Sequence, residues 1–197
     1  MIRRTGVVLI GGVGRRMGGR EKYSILHEGR TFLDHLLETL HRTTDEVIIV
    51  SRDTEQRDRC AAVTGDRCIT DIRQGIGPVG GIHAASRAAR GEYLCVVACD
   101  MPCISPAVIE YLFSCCEGYD AAVPCWSREM LEPLHAIYRR ERVVQALEAD
   151  PSLSLRGMIS RLHTRYVPVE DIRRFDRDLH TFTNINHPHD LERFANR

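Results

Sequence analysis

The residues best suited to chemistry are gathered in one short run, Gly11-Gly-Val-Gly-Arg-Arg-Met-Gly-Gly-Arg-Glu-Lys22. Five glycines among nine residues let backbone N–H groups approach an anion with no Cβ in the way. Arg15, Arg16, Arg20 and Lys22 add more positive charge than a structural turn needs. Neither of two familiar phosphate loops is present. A Walker A loop requires Lys-Ser/Thr straight after its last glycine, and here Arg20-Glu21 follows Gly19. The dinucleotide pattern GxGxxG begins at Gly12 and Gly14 and fails at Met17. The run is therefore an anion-binding loop of another kind.

Two acids accompany it. Asp100 opens Asp100-Met-Pro102 directly after an apolar stretch, and a carboxylate beside phosphates implies a bridging Mg²⁺. Asp71 precedes Gly75-Ile-Gly-Pro-Val-Gly-Gly81, a second glycine-rich turn opening a helix whose N–H groups face an anion. Asp71 suits a ribose hydroxyl or a base N–H.

For these groups to meet, strands must deliver them to one edge. Val7–Ile10, Val47–Val50, Cys68–Thr70, Leu94–Cys99 and Ala121–Pro124 read as strands, apolar throughout rather than alternating, which predicts a sheet covered on both faces. Helical spacing links them. Thr31 caps a stripe of Phe32, Leu33, Leu36, Leu37 and Leu40; Thr54–Val63 is a polar helix; Ile82–Ala89 is rich in small residues; Ser105-Pro106 starts a fourth helix. Strand–helix repetition predicts an α/β, doubly wound, mostly parallel sheet with helices on both faces, in a single domain over 1–197. Ligands of such sheets bind at the carboxyl ends of the strands. Farther on, Val143–Leu147 and Ser152–Leu162 read as helices, Arg165–Val169 as a strand, and Pro188-His189 as the start of a terminal helix through Leu191 and Phe194.

Five segments, in order, resemble those of the molybdenum cofactor guanylyltransferases (molybdopterin-guanine dinucleotide synthases), a family of nucleotidyltransferases. Leu9–Lys22 is similar to the signature LAGG-x-(S/A)-x-R-M-G-x-D-K, with Ile10 in place of Ala and Glu21 in place of Asp. Gly77–Gly81 resembles GPLAG, and Cys99–Pro102 matches CDMP. Glu132–Tyr138 resembles PLHALY, and Thr183–Leu191 resembles a segment containing NINTPEDL. The resemblance implies a Rossmann-like nucleotidyltransferase fold and transfer of GMP from GTP to molybdopterin, with pyrophosphate released. It implies main-chain nucleotide contacts at Leu9, Ile10, Gly11 and Gly12, with Gly80 on the same side. Lys22 and Arg16 would hold phosphate charge, Asp71 the nucleoside and Asp100 the Mg²⁺. Asn184, Asn186 and Arg156 would line the pterin side. Residues 1–125 would form the nucleotide-binding part and 126–197 the acceptor-binding part. Transient contact with molybdenum cofactor enzymes or chaperones would follow.

Rival readings are a sister transferase using CTP or another phosphate acceptor, and a nicotinamide-dependent oxidoreductase. Met17 and the absence of an acid at Val50-Ser51-Arg52 count against the oxidoreductase. The 27 Lys+Arg balance 27 Asp+Glu, which removes the basic footprint of nucleic-acid or membrane binding. No stretch reaches the ~18 apolar residues of a membrane span. The first residues carry too short an apolar run for a signal peptide, so a cytoplasmic protein is expected. Eight cysteines without a CxxC, including Cys95-x3-Cys99-x3-Cys103, read as buried packing groups rather than ligands. His187 and His189 read as capping or surface residues. His135 is read two ways, as a substrate contact or as a buried, hydrogen-bonded ring.

Overall fold

Val7, Val8, Leu9 and Ile10 are all buried, yet neighbouring strand residues point to opposite faces, so both sides of this strand must be covered. The computed structural model describes residues 3–12, 21–72, 75–186 and 190. Its strands are β1 Arg4–Leu9, β2 Leu26–His27, β3 Arg30–Thr31, β4 Glu46–Ser51, β5 Arg67–Thr70, β6 Tyr93–Ala98, β7 Ala121–Cys125, β8 His135–Arg139 and β9 Thr164–Pro168. Seven of them form one sheet in the order β5-β4-β1-β6-β8-β7-β9, while β2 and β3 make a separate small hairpin. β1 runs parallel to β4 and β6, β4 to β5, and β7 to β9. β8 alone among the seven is antiparallel to its neighbours, β6 and β7.

The predicted two-sided covering is present. On one face Val8, Ile49 and Val97 pack with Leu36 and Leu40 of α1 (Phe32–Thr43), Cys60 of α2 (Thr54–Thr64) and Ile109 of α4 (Pro106–Cys115). On the other, Val7, Ile48 and Val96 pack with Ile82 of α3 (Pro78–Ala88), Leu147 of α5 (Arg140–Ala149) and Met158 of α6 (Leu155–Arg161). Each fully buried aliphatic side chain contributes about 1.5–3 kcal/mol against exposure, so the two layers of helices hold the sheet from both sides. A short α7 (Val169–Ile172) follows β9.

The caps act as expected. Thr31 Oγ1 accepts the Asp34 N–H at 3.1 Å while Asp34 Oδ2 accepts the Thr31 N–H at 2.8 Å, a reciprocal box that contributes about 1 kcal/mol. Ser105 caps α4, with Pro106 at its first position. α3 begins at Pro78, one turn before the expected Ile82, because Gly77 adopts φ 77°, a conformation open to glycine, and Pro78 then enters the helix with φ already set. The terminal helix expected from Pro188 lies outside the described residues apart from Asp190, which is helical. Cys95 and Cys99 are buried, and burial pushes both thiols up to about 12, in keeping with packing groups. Among the described residues no helix is long and apolar enough to cross a membrane.

Candidate active site

Parallel β1, β4, β5 and β6 end at one edge, and a cleft of about 730 Å³ opens there. Leu9, Ile10, Gly11 and Gly12 from the end of β1 line it, with Arg52 after β4, Asp71 after β5, Cys99 and Asp100 after β6, and Gly75, Gly77, Pro78 and Gly81 at the start of α3. Lys22 and Asn186 complete the wall from distant parts of the chain. The volume lies within the ~300–1,000 Å³ of small-molecule sites.

Lys22 is the centre of its charge. Its Nζ donates to Asp100 Oδ2 at 3.0 Å and to Asn186 Oδ1 at 2.5 Å. The Lys22 and Asp100 side chains keep 22% and 25% of their exposure, enough for a ligand to reach both. The Ile185 N–H donates to the Asp100 carbonyl at 2.8 Å, and the Asn186 N–H to Asp190 Oδ2 at 2.9 Å, fixing the late segment against the end of β6. Asn186 therefore touches the lysine, a contact the pterin-side expectation did not contain.

The loop around Arg16 (residues 13–20) lies outside the described residues, but its two ends are tied together by Gln56, a fully buried polar residue of α2. Gln56 Nε2 donates to the Ile10 carbonyl at 3.4 Å and to Glu21 Oε1 at 3.2 Å, while Gln56 Oε1 accepts the Arg52 N–H at 2.8 Å. Arg59 Nη2 also donates to Glu21 Oε1, at 2.9 Å. The longer Glu21 thus reaches α2. Burial and the Glu21 hydrogen bond hold the Tyr23 hydroxyl up at about 12. Gln56 is not legible as a site residue in the sequence, because one polar residue in a polar helix carries no periodic signal.

Main-chain groups at the head of the cleft are partly engaged. The Leu9 carbonyl accepts the Cys99 N–H at 3.2 Å, and the Ile10 N–H donates to Val50 O at 2.9 Å. Gly11 and Gly12 are exposed. Opposite them, a Cβ on Gly81 would stand 3.1 Å from Leu9 Cδ2 and 3.4 Å from Val50 Cγ1, so glycine is what lets α3 approach the sheet this closely. Gly80 lies one residue off the lining, buried, with its N–H donating to Gly77 O at 3.3 Å. Asn184 is exposed and off the cleft wall. Arg156, on α6, is also exposed and caps the turn after β7, donating to the carbonyls of Glu129 and Arg128 at 3.3 and 3.1 Å. His187 and His189 lie outside the described residues. His135 is fully buried, its Nε2 3.2 Å from Thr181 Oγ1, and burial drives its pKa down to about 4. It is a buried, hydrogen-bonded ring.

Among the described residues no group of three or more His, Cys, Asp and Glu is placed to hold a metal. The donor set nonetheless fits Mg²⁺, which binds through one or two carboxylates and fills the rest of its octahedron with phosphate oxygens and water. Asp100 supplies such an oxygen at the cleft.

A glycine turn, a cationic lysine and a carboxylate at the carboxyl edge of a doubly wound sheet define a nucleotide-handling α/β enzyme. The model of the MobA-like NTP transferase domain matches residues 6–166. Probable molybdenum cofactor guanylyltransferases of Methanosarcina mazei and Methanosarcina acetivorans are each 39% identical, over 96% of this chain and 88% of their own length. The crystal structure of molybdopterin-guanine dinucleotide biosynthesis protein A from Archaeoglobus fulgidus superposes with a TM-score of 0.82 at 33% identity, covering 98% of this chain and 97% of that one. The chain belongs to the molybdenum cofactor guanylyltransferase family of nucleotidyltransferases.

Proposed function

We propose that the enzyme transfers GMP from GTP to molybdopterin, the terminal phosphate of the pterin attacking the α-phosphorus and pyrophosphate leaving. The observation that carries this reading is the meeting of Lys22, Asp100 and Asn186 at one end of the cleft, with Asp71 lining the same cleft after β5. Membership of the family, whose relatives bear the guanylyltransferase name, supports the choice of substrates.

The chemistry suits these residues. The nucleophile is already an anion, so no Ser, Cys or His base is required; two anions must be brought together and held in line. Lys22 offsets phosphate charge, its ammonium aimed by Asn186. Arg16, by resemblance, adds a second cation on the pyrophosphate side. Asp71 accepts a donor from the nucleoside, and the N-terminal turn of α3 offers backbone dipoles to phosphate. Mg²⁺ held by Asp100 would supply Lewis acidity and a template for the phosphates. Residues 126–197 provide the acceptor side, and the reaction takes place in the cytoplasm. The protein hands its product to molybdenum enzymes by transient contact.

The test is pyrophosphate release with molybdopterin and Mg²⁺ across GTP, CTP, ATP and UTP. GTP is expected to give the highest kcat/KM. Preference for CTP would overturn the guanylyl assignment, and release without molybdopterin would overturn the acceptor.

A further inference from the structure

The sheet edge that forms the cleft continues past Asp100. β8 is antiparallel to β6, so its beginning, and the residues just before it, lie at that edge; β7 is antiparallel to β8, so its end lies there too. The topology therefore sets Trp126, after β7, and Glu132, before β8, on the acceptor half of the edge. Leu134, two residues after Glu132, lines the cleft, and the Trp126–Glu132 pair stands just beyond that wall.

Trp126 Nε1 donates to Glu132 Oε1 at 2.8 Å. The indole meets Phe182 edge-on, with ring centroids 6.0 Å apart, and Phe182 in turn meets the buried His135 ring at 5.1 Å. Trp126 is thereby braced from below while 43% of it remains exposed. Glu132 is half-buried, and among the described residues no donor other than the indole is hydrogen-bonded to its carboxylate. Burial pushes its pKa up; the Trp126 hydrogen bond opposes this and the charge of Asp100 adds to it. A partly desolvated carboxylate with one donor is costly unless something else binds it. Nothing in the transfer of the nucleotide uses it.

We propose that Trp126 and Glu132 receive the ring of the phosphate acceptor, a planar heterocycle with a 2-amino-4-oxo pyrimidine edge. This rests on the reading above that the acceptor is a pterin. Glu132 accepts the paired N–H groups of that edge, a charge-assisted bidentate contact, and the indole supplies a stacking face. Guanine carries the same edge, so position decides between the two sources. The nucleoside site proposed at Asp71 and α3 is separated from this pair by β4, β1 and β6.

Trp126 is the one tryptophan in the chain, so its emission reports directly on the site. Pterin titrated into the intact protein is expected to quench it, and lumazine, which has a carbonyl in place of the 2-amino group, to bind about 10–100-fold more weakly. Glu132→Gln, read by calorimetry, is expected to lose pterin affinity by a similar factor and to keep its GTP affinity. Equal binding of pterin and lumazine by the unmodified protein overturns the proposal, even where the variant fails to fold. So does a Glu132→Gln variant that loses GTP affinity and keeps pterin, which would place guanine there. Absence of pyrophosphate release with GTP and molybdopterin, alongside Glu132-dependent pterin binding, would sink the proposed reaction and leave this site standing. Release with an unchanged acceptor KM in folded Glu132→Gln would sink this site alone.

Discussion

Replacing Asn186 by alanine removes a partner of Lys22 at 2.5 Å while leaving the Lys22–Asp100 pair at 3.0 Å. At an effective dielectric near 20 that pair has a gross attraction of about 5–6 kcal/mol, most of it cancelled by desolvation. The lysine therefore stays near Asp100 but loses its aim. A hydrogen bond to a charged donor contributes a net ~1.5–3 kcal/mol. If that aim is needed in the transition state, kcat/KM for GTP should fall about 10–100-fold in Asn186→Ala. Lys22→Met, which keeps the stem and removes the charge, should cost about 10²–10³-fold, as loss of an electrostatic stabiliser does. The informative variant is the double one. With no ammonium to position, Asn186→Ala should cost less than about threefold more, a strong non-additivity. Pyrophosphate release under single-turnover conditions measures all four proteins. Multiplying effects would refute the reasoning and make Asn186 an independent contact to the acceptor.

Two further outcomes concern stability. His135 has a folded-state pKa of about 4, depressed by burial, so the unfolded chain takes a proton that the folded one refuses. Its contribution is fully present above the unfolded value near 6.5 and is lost as pH falls toward about 4, about 2 kcal/mol between pH 7 and pH 5. Urea unfolding of His135→Gln should show a correspondingly flatter pH dependence over that interval; an unchanged slope would disprove the assignment. Gly91→Ala would put a Cβ 2.5 Å from Thr5 Oγ1 and 2.9 Å from the Thr5 backbone nitrogen. That overpacking should lower unfolding free energy by about 1–3 kcal/mol, and an unchanged urea midpoint would contradict it.

Much of the fold is legible from local patterns. The uninterrupted apolar runs at Val7–Ile10 and Val47–Val50 have a single physical explanation, burial on both faces, and the structure covers both. Thr31 and Ser105 announce helix starts because their hydroxyls satisfy N–H groups that would otherwise lack partners, and both do so. The reversal of β8 was not legible. Strand direction leaves no trace in the strand's own residues; it depends on which neighbour completes the hydrogen bonding. The early start of α3 turned on the backbone angle of Gly77, which residue type permits but does not dictate.

Residue types alone carried the expectation of an anion site. Glycines without Cβ atoms, clustered cations and an acid after a buried strand carry that meaning wherever they are placed. Which groups stand together was decided only by the tertiary structure. Lys22 and Asn186, 164 positions apart, share a hydrogen bond, and Gln56 joins Ile10 to Glu21 from the buried side of a polar helix. Arg156 and Asn184, alike in kind to residues that line the cleft, lie off its wall. Such pairings depend on sheet order and on the direction of each strand, which are properties of the whole chain's packing and not of any local segment.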